Sequence, residues 1–221
     1  MTVAPDYFDT EPRNWRARLA VSADVMRELS RSADPQEMYA VFARRLAQLF
    51  PVTRHLTISR RGLRSPEYRV ARFSGWKDPV NPWKESHRLP VHHGGLLGEL
   101  LYADQPRVID GLALDGDDPA CEYLAGQRSL LAIPHFEGGV AQNMVVVTRD
   151  DVDLFPRERV ADLLLLSNLF SRATQTLVLS HAVKEAFDGL DYELRSIAEI
   201  QKSLLPAELP RLPHLDVAVH Y

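Results

Sequence analysis

The chain has 221 residues, enough for one full domain of roughly 100–200 residues plus an additional segment. Hydrophobic residues make up 45% and charged residues 25%, a balance that builds a packed core and argues against disorder. The net charge of -4 argues against a mainly nucleic-acid-binding surface, and the single cysteine, Cys121, excludes an intramolecular disulfide.

In chain order, Trp15, Leu19, Met26 and Leu29 share one face of a first predicted helix ending near Ser30. Asp34-Pro35-Gln36-Glu37 then combines a capping aspartate, a proline at the first helical position and a glutamate three residues after the cap. The second helix follows, with Met38, Phe42, Leu46 and Leu49 on its apolar face. Strands are predicted where Leu56 and Ile58 alternate with Thr57 and Ser59, and where Tyr68 and Val70 alternate with Arg69 and Ala71. Gly62 to Pro66 makes the turn between them. A Trp- and Pro-containing loop from Gly75 to Trp83 leads to a short strand over Arg88–Val91, then a helix over Gly94–Tyr102. Arg107–Ile109 is a further strand and Ala120–Ala125 a short helix. Ser129–Phe136 and Val140–Thr148 form a hairpin, and the wholly apolar Met144–Val147 marks a central strand.

From Pro156 to about Leu205 there is no proline and one glycine, Gly189, which predicts a helix up to about 75 Å long. Leu163, Leu166, Phe170, Ala173 and Leu177 repeat by three and four, as do Val183, Phe187, Leu190, Leu194, Ile197 and Leu204. The two series fall out of phase near Ser180–Lys184, a slip that locally under- or overwinds a coiled coil. The pattern predicts a parallel two-stranded coiled coil with a soft point, with an irregular single helix as the alternative. After Leu205, Pro206, Pro210 and Pro213 end the helix, and Leu215–Val219 alternates as a strand.

Arginines crowd between Arg13 and Arg72, and acids between Asp104 and Asp118; these read as solvated faces or as complementary patches at a contact. No run approaches the ~18 apolar residues of a membrane span. Met1–Arg13 lacks the apolar stretch of a secretory signal, so the expected location is cytoplasmic, with no membrane and no nucleic-acid partner.

Three segments resemble a GAF domain: Leu89-Pro90-Val91-His92-His93-Gly94-Gly95-Leu96-Leu97-Gly98-Glu99-Leu100, Gln105-Pro106-Arg107-Val108-Ile109-Asp110, and Phe155-Pro156-Arg157-Glu158. Pro156 stands where the family usually has Ser or Thr. The resemblance implies an α+β fold, a central antiparallel sheet flanked by helices, followed by the long C-terminal coiled-coil helix. Gln201-Lys202-Ser203-Leu204-Leu205-Pro206, Pro210 and Val217-Ala218-Val219-His220-Tyr221 resemble the opening of a SpoIIE-type serine/threonine phosphatase domain of the PPM family. His214-Leu215 replaces a frequent glycine of that family. The implied organisation is a tail and helix over residues 1–33, a GAF domain over 34–170, a linker helix over 156–205 and a truncated phosphatase edge over 206–221. The Mg2+ or Mn2+ of that family, and the carboxylates that hold it, would lie beyond Tyr221.

By the same resemblance Trp76, Trp83, His92, Cys121 and Arg128 fall in segments that line the GAF pocket, and are the candidate ligand-binding residues. The alternative is that Trp76 and Trp83 close the core over a vestigial pocket. Photosensory GAF domains attach a bilin near Cys121, but Glu122 replaces their usual His and Tyr123-Leu124 comes one residue early, so Cys121 reads as a buried structural thiol. His92 and His93 are adjacent on a strand, point to opposite faces and do not readily share an ion. Gly94 and Gly95 could present backbone N–H groups to an anion at a helix start. Asp115, Asp117 and Asp118 lack the remaining positions of a calcium loop and read as a helix-capping loop. No catalytic or metal-ligating residue is assigned within the chain.

These readings imply the regulatory part of a phosphatase, inactive by itself. It would be a parallel homodimer that passes a ligand or partner signal through the helix to a domain acting on a phosphorylated anti-sigma-factor antagonist. A GAF dimerisation module without a small-molecule ligand is the alternative. Tyr192-Glu193-Leu194-Arg195 echoes the phosphoacceptor box of histidine kinases, but Tyr192 replaces the histidine that a phosphorelay requires.

Overall fold

The computed structural model describes residues 15–49, 53–78, 80–152, 155, 157–204 and 214. Two helices, α1 (Trp15–Arg31) and α2 (Pro35–Leu49), precede strands β1 (Arg54–Ser59), β2 (Glu67–Phe73) and β3 (Val91–His93). Then come α3 (Gly95–Tyr102), β4 (Arg107–Asp110), α4 (Cys121–Leu124), β5 (Ser129–Glu137), β6 (Val140–Arg149) and α5 (Arg157–Leu204). The strands form one six-stranded sheet in the order β3-β2-β1-β6-β5-β4, every neighbouring pair antiparallel. The described residues through Val178 form one compact unit, and those from Leu179 to Leu204 a second.

Alternation along the strands sorts the core of the first unit into two layers. On one face of the sheet Leu131, Ile133, Val145 and Val147 pack against Val25 of α1, Met38, Phe42 and Leu46 of α2, and Leu163, Leu166 and Phe170 of α5. On the other face Leu56, Ile58, Tyr68, Val70, Leu130 and Val146 pack against Leu97, Leu100 and Leu101 of α3 and Tyr123 and Leu124 of α4. The Asp34 side chain caps α2, accepting from the Gln36 N–H at 3.2 Å. The apolar face of α1 differs from the sequence expectation. Met26 is exposed and Val25 is buried, so Val25 and Leu29, four residues apart, make the contact; the side chains of Trp15 and Leu19 lie outside the described residues. The strand expected over Arg88–Val91 is also corrected. Ser86–Arg88 is a 3-10 turn and β3 begins at Val91, because Pro90 carries no N–H to give to a ladder.

An irregularity between β1 and β2 decides which face Arg72 joins. Ile58 faces Val70 and Thr57 faces Arg72, which leaves Ala71 as an extra residue on β2, a bulge. Unbroken alternation would put Arg72 on the same face as Tyr68 and Val70. Past the bulge, Arg72 instead shares the face of Thr57, Ser59 and Arg69, toward α2 and α5, and Phe73 joins the opposite layer.

The long helix has two different apolar series, as its sequence indicates, but they do not share one seam. Leu163, Leu166 and Phe170 belong to the sheet-facing core, with Ala173 and Leu177 packed beside it, so this first series is not coiled-coil surface. Val183, Phe187, Leu190, Leu194, Ile197 and Leu204 are exposed in the second unit. The phase slip near Ser180 thus falls where the first compact unit ends, at Val178. The strand predicted at Leu215–Val219, and the resemblance carried by Leu205–Tyr221 apart from His214, lie outside the described residues.

The arginine-rich and acidic segments meet within the chain. Arg60 pairs with Asp104 at 2.7 Å and lies over the Tyr102 ring, and Asp104 also accepts from the Ala141 N–H at 2.8 Å. Arg157 lies 3.7 Å from Asp110.

Candidate functional site

The face under α3 and α4 is closed by aromatic side chains. His92 on β3 stacks on Tyr68 with ring centroids 5.4 Å apart and meets the Tyr123 ring edge-on at 5.6 Å. A hydrogen bond of 3.0 Å joins Tyr123 Oη to His92 Nε2. Phe73 packs edge-on against both Tyr123 and Trp76. Burial keeps His92 below the usual histidine range, with His93 adding repulsion and Glu122 opposing it, so the ring is neutral near pH 7. Burial, reinforced by Asp118 and Glu122, pushes the Tyr68 hydroxyl up to about 12.

The glycine pair at the start of α3 does not offer a vacant anion cradle. Asp118 occupies that place: its Oδ2 accepts from the Leu96 N–H and its Oδ1 from the Ala120 N–H, both at 2.8 Å. One carboxylate therefore ties the starts of α3 and α4 together, which is the capping role expected for the acidic loop. Gly95 has φ +66°, and a Cβ added there would stand 2.4 Å from Asp118 Oδ1. Gly95→Ala is expected to lower stability by about 2 kcal/mol through backbone strain and displacement of the cap. Chemical denaturation would measure this, and an unchanged midpoint would show that the Asp118 carboxylate moves aside freely.

The opposite face holds a cavity of about 380 Å3. Its floor is the sheet, from Ser59, Arg69, Arg72 and Asn143; Phe42 of α2 and Phe170, Ser171 and Thr174 of α5 form walls, and Trp83 the rim. The guanidinium of Arg72 lies over two rings, 3.8 Å from the Tyr39 centroid and 4.9 Å from that of Trp83, and donates from Nη2 to Gln36 Oε1 at 3.0 Å. His135 also lines the cavity, buried and hydrogen-bonded to Ser167 Oγ of α5. Burial pulls it down to about 4, so it is neutral near pH 7. A smaller cavity of about 210 Å3 lies nearby, lined by His55, Arg72, Phe73 and Trp76.

The five residues singled out from the sequence are therefore dispersed. His92 sits in the aromatic cluster, Trp76 lines the smaller cavity, and Trp83 stands on the rim of the larger one. Cys121 is half-buried rather than buried, its thiol directed to the Asp115 carbonyl at 3.2 Å, because it occupies the exposed first turn of a four-residue helix. The Arg128 side chain is exposed, and its backbone joins Arg149 and Leu112.

Solved structures of 12–16% identity share this architecture. The GAF domain of a two-component sensor histidine kinase from Bacillus halodurans aligns over 68% of this chain and 99% of its own, with a TM-score of 0.51 and 12% identity. The GAF domain of a phosphoenolpyruvate-protein phosphotransferase from Coxiella burnetii aligns over 76% and 95%, with a TM-score of 0.51 and 15% identity. The fold is that of a GAF domain. Free methionine-R-sulfoxide reductase from Neisseria meningitidis, solved with its substrate, aligns over 71% and 87%, with a TM-score of 0.52 and 16% identity. No protein-family model matches the sequence, and no curated protein matches it significantly.

Within this GAF fold the sequence candidates reach the cavity facing α2 and α5 only through Trp83. Tyr123, Arg69 and Arg72 are not among them, and Asp118 reads as a cap. Only Arg69 carried a visible signal, a charged residue within an apolar strand. Among the described residues no helix is long and apolar enough to cross a membrane, and no three His, Cys, Asp or Glu side chains lie close enough together to hold a metal ion.

Proposed function

We propose that this chain is a regulatory GAF module that self-associates through α5 as a parallel two-stranded coiled coil and relays a signal along that helix. The observation that supports this most is the exposed series Val183, Phe187, Leu190, Leu194, Ile197 and Leu204, spaced by four and three along an uninterrupted helix. Apolar side chains at that period cost solubility unless a partner helix covers them, and a second copy offers the same seam in the same register. Gln201 stands at the remaining seam position, where a polar residue favours one register over its alternatives. Ser180 precedes the series, and the phase change there sets the boundary across which a shift in the first unit would alter helix packing.

The output assigned here is a SpoIIE-type, metal-dependent serine/threonine phosphatase domain, on the resemblance of Gln201–Tyr221. Its substrate class is a phosphoserine on an anti-sigma-factor antagonist, and Mg2+ or Mn2+ would be held by that domain's carboxylates.

Self-association is tested by cross-linking. In a Cys121→Ser background, Val183→Cys and Ile197→Cys, made separately, are each expected to form an interchain disulfide on mild oxidation, because identical positions at two well-separated points of the seam both meet only in a parallel, in-register pair. A monomer in solution, or a dimer that does not cross-link there, would overturn the arrangement. The output is tested by the gene's reading frame: a Gly-Gly-Asp encoded within about 15 residues downstream of Tyr221 supports the phosphatase, and its absence removes it.

The closed aromatic face favours a second reading, a dimerisation module that binds no small molecule under α3 and α4. Tyr68, His92 and Tyr123 pack ring against ring there.

A further inference from the structure

The cavity facing α2 and α5 has an unbalanced lining. Arg61, Arg69 and Arg72 contribute to it, and among the described residues no Asp or Glu does. Arg61 is satisfied by Glu137, which it meets in a two-pronged ion pair. The other two arginines differ. Arg69 Nε is buried and has no hydrogen-bond partner among the described residues. Arg72 is 9% exposed, lies against two aromatic rings, and has no carboxylate partner among the described residues. A guanidinium removed from water without a counter-ion is a costly arrangement, and native cores remove such charges or pair them. Here Arg72 is so placed, and the bulge at Ala71 brings it to the same face as half-buried Arg69, whose Nε alone is withdrawn from water. The rest of the lining suits an organic molecule: Phe42, Trp83, Val145 and Phe170 are apolar, and Ser59 and Asn143 supply neutral hydrogen-bonding groups.

We propose that this cavity binds a small organic carboxylate with an aromatic or branched apolar body, the carboxylate taken by Arg69 and Arg72 and the body resting against Phe42, Phe170 and Trp83. The Nε–H and adjacent Nη–H of arginine form a planar fork that matches a carboxylate. A volume of about 380 Å3 falls at the small end of ligand pockets, roughly 300–1,000 Å3. Phe170, Ser171 and Thr174 are residues of α5, so an occupant touches that helix directly. The proposal is independent of self-association, since binding is read whether or not the chain dimerises.

The test uses the full chain, labelled with 15N, and follows the arginine Nε–H resonances during titration with phenylacetate and indole-3-acetate. Phenylacetamide is the neutral control and phenyl phosphate the doubly charged one. The Arg69 signal is expected to move saturably with a carboxylate, and the amide to bind at least about tenfold more weakly. Arg69→Met should abolish binding without lowering the thermal midpoint of the free chain, because its Nε gives up no bond. Trp83→Ala, a half-exposed rim residue whose loss leaves the core intact, should weaken binding several-fold. No saturable binding of either carboxylate up to about 10 mM would overturn the proposal. So would equal binding of the amide, unchanged binding by Arg69→Met, or a clear preference for phenyl phosphate.

Discussion

A chain carrying both Phe187→Ala and Leu190→Ala is expected to sediment as a monomer at concentrations where the unaltered chain is a dimer. Both side chains are largely in water within one chain, Phe187 at 68% exposure and Leu190 at 56%. Truncating them therefore removes little from the folding stability of the isolated chain. In a seam they would be covered by the partner helix, and each alanine would forfeit about 2–5 kcal/mol per chain. Even a total loss of about 4 kcal/mol raises the dissociation constant about 1,000-fold. Sedimentation equilibrium reads the shift directly, and thermal unfolding of the first unit serves as the control. Unaltered dimerisation would remove the seam from this stretch. A monomer that has also lost its thermal transition would mean that the helix supports the fold instead.

Acid is the second large perturbation, and His135 sets its sign. In the unfolded chain an imidazole titrates near 6.5; in the fold, burial lowers this one to about 4. Between those values the unfolded chain binds the proton and the folded chain does not, so stability is full above about pH 6.5 and falls as pH drops toward 4. The difference is worth about 3 kcal/mol across that window. The experiment is urea denaturation of the wild type and of His135→Gln at several pH values. Gln keeps a polar end for Ser167 but does not titrate. The wild type should exceed the variant in stability at neutral pH, and the gap should shrink by about 3 kcal/mol toward pH 4. Other groups with lowered values, such as His55, His92 and Glu137, act equally in both proteins and cancel in the difference. A gap that does not change with pH would show that His135 is hydrated in solution.

Much of the fold was legible because its signals are local. Leu56 and Ile58 against Thr57 and Ser59 declare a strand buried on one side, and Asp34-Pro35 announces a helix start. The glycine pair marks the turn into α3, and the apolar run Met144–Val147 lies in a strand flanked on both sides. The site was less legible, for equally physical reasons. A bulge has no reliable residue signature, so counting on by twos from Tyr68 and Val70 would put Arg72 in the wrong layer. Periodicity on α5 gave two apolar series correctly, but an apolar stripe does not say whether a sheet or another helix covers it. The glycines before α3 suggested an anion site, and only the folded chain brings Asp118, more than twenty residues later, into that place. The candidate residues were grouped around one pocket by resemblance, whereas His92 and Trp83 lie on opposite faces of the sheet.

Ala71 has a consequence for how this sheet tolerates changes in length. Because it is the added residue, a chain lacking it would still set Val70 against Ile58 and Arg72 against Thr57, through a straight ladder. Polarity of the two layers would survive the deletion; what would vanish is the local coiling that an extra residue imposes on its strand. The opposite mistake, a slip that absorbed Ala71 into regular pairing, would drive a guanidinium among Leu97 and Tyr123 and bring Phe73 out beside Arg69. Shortening is thus the benign error at this point of the chain and misalignment the damaging one.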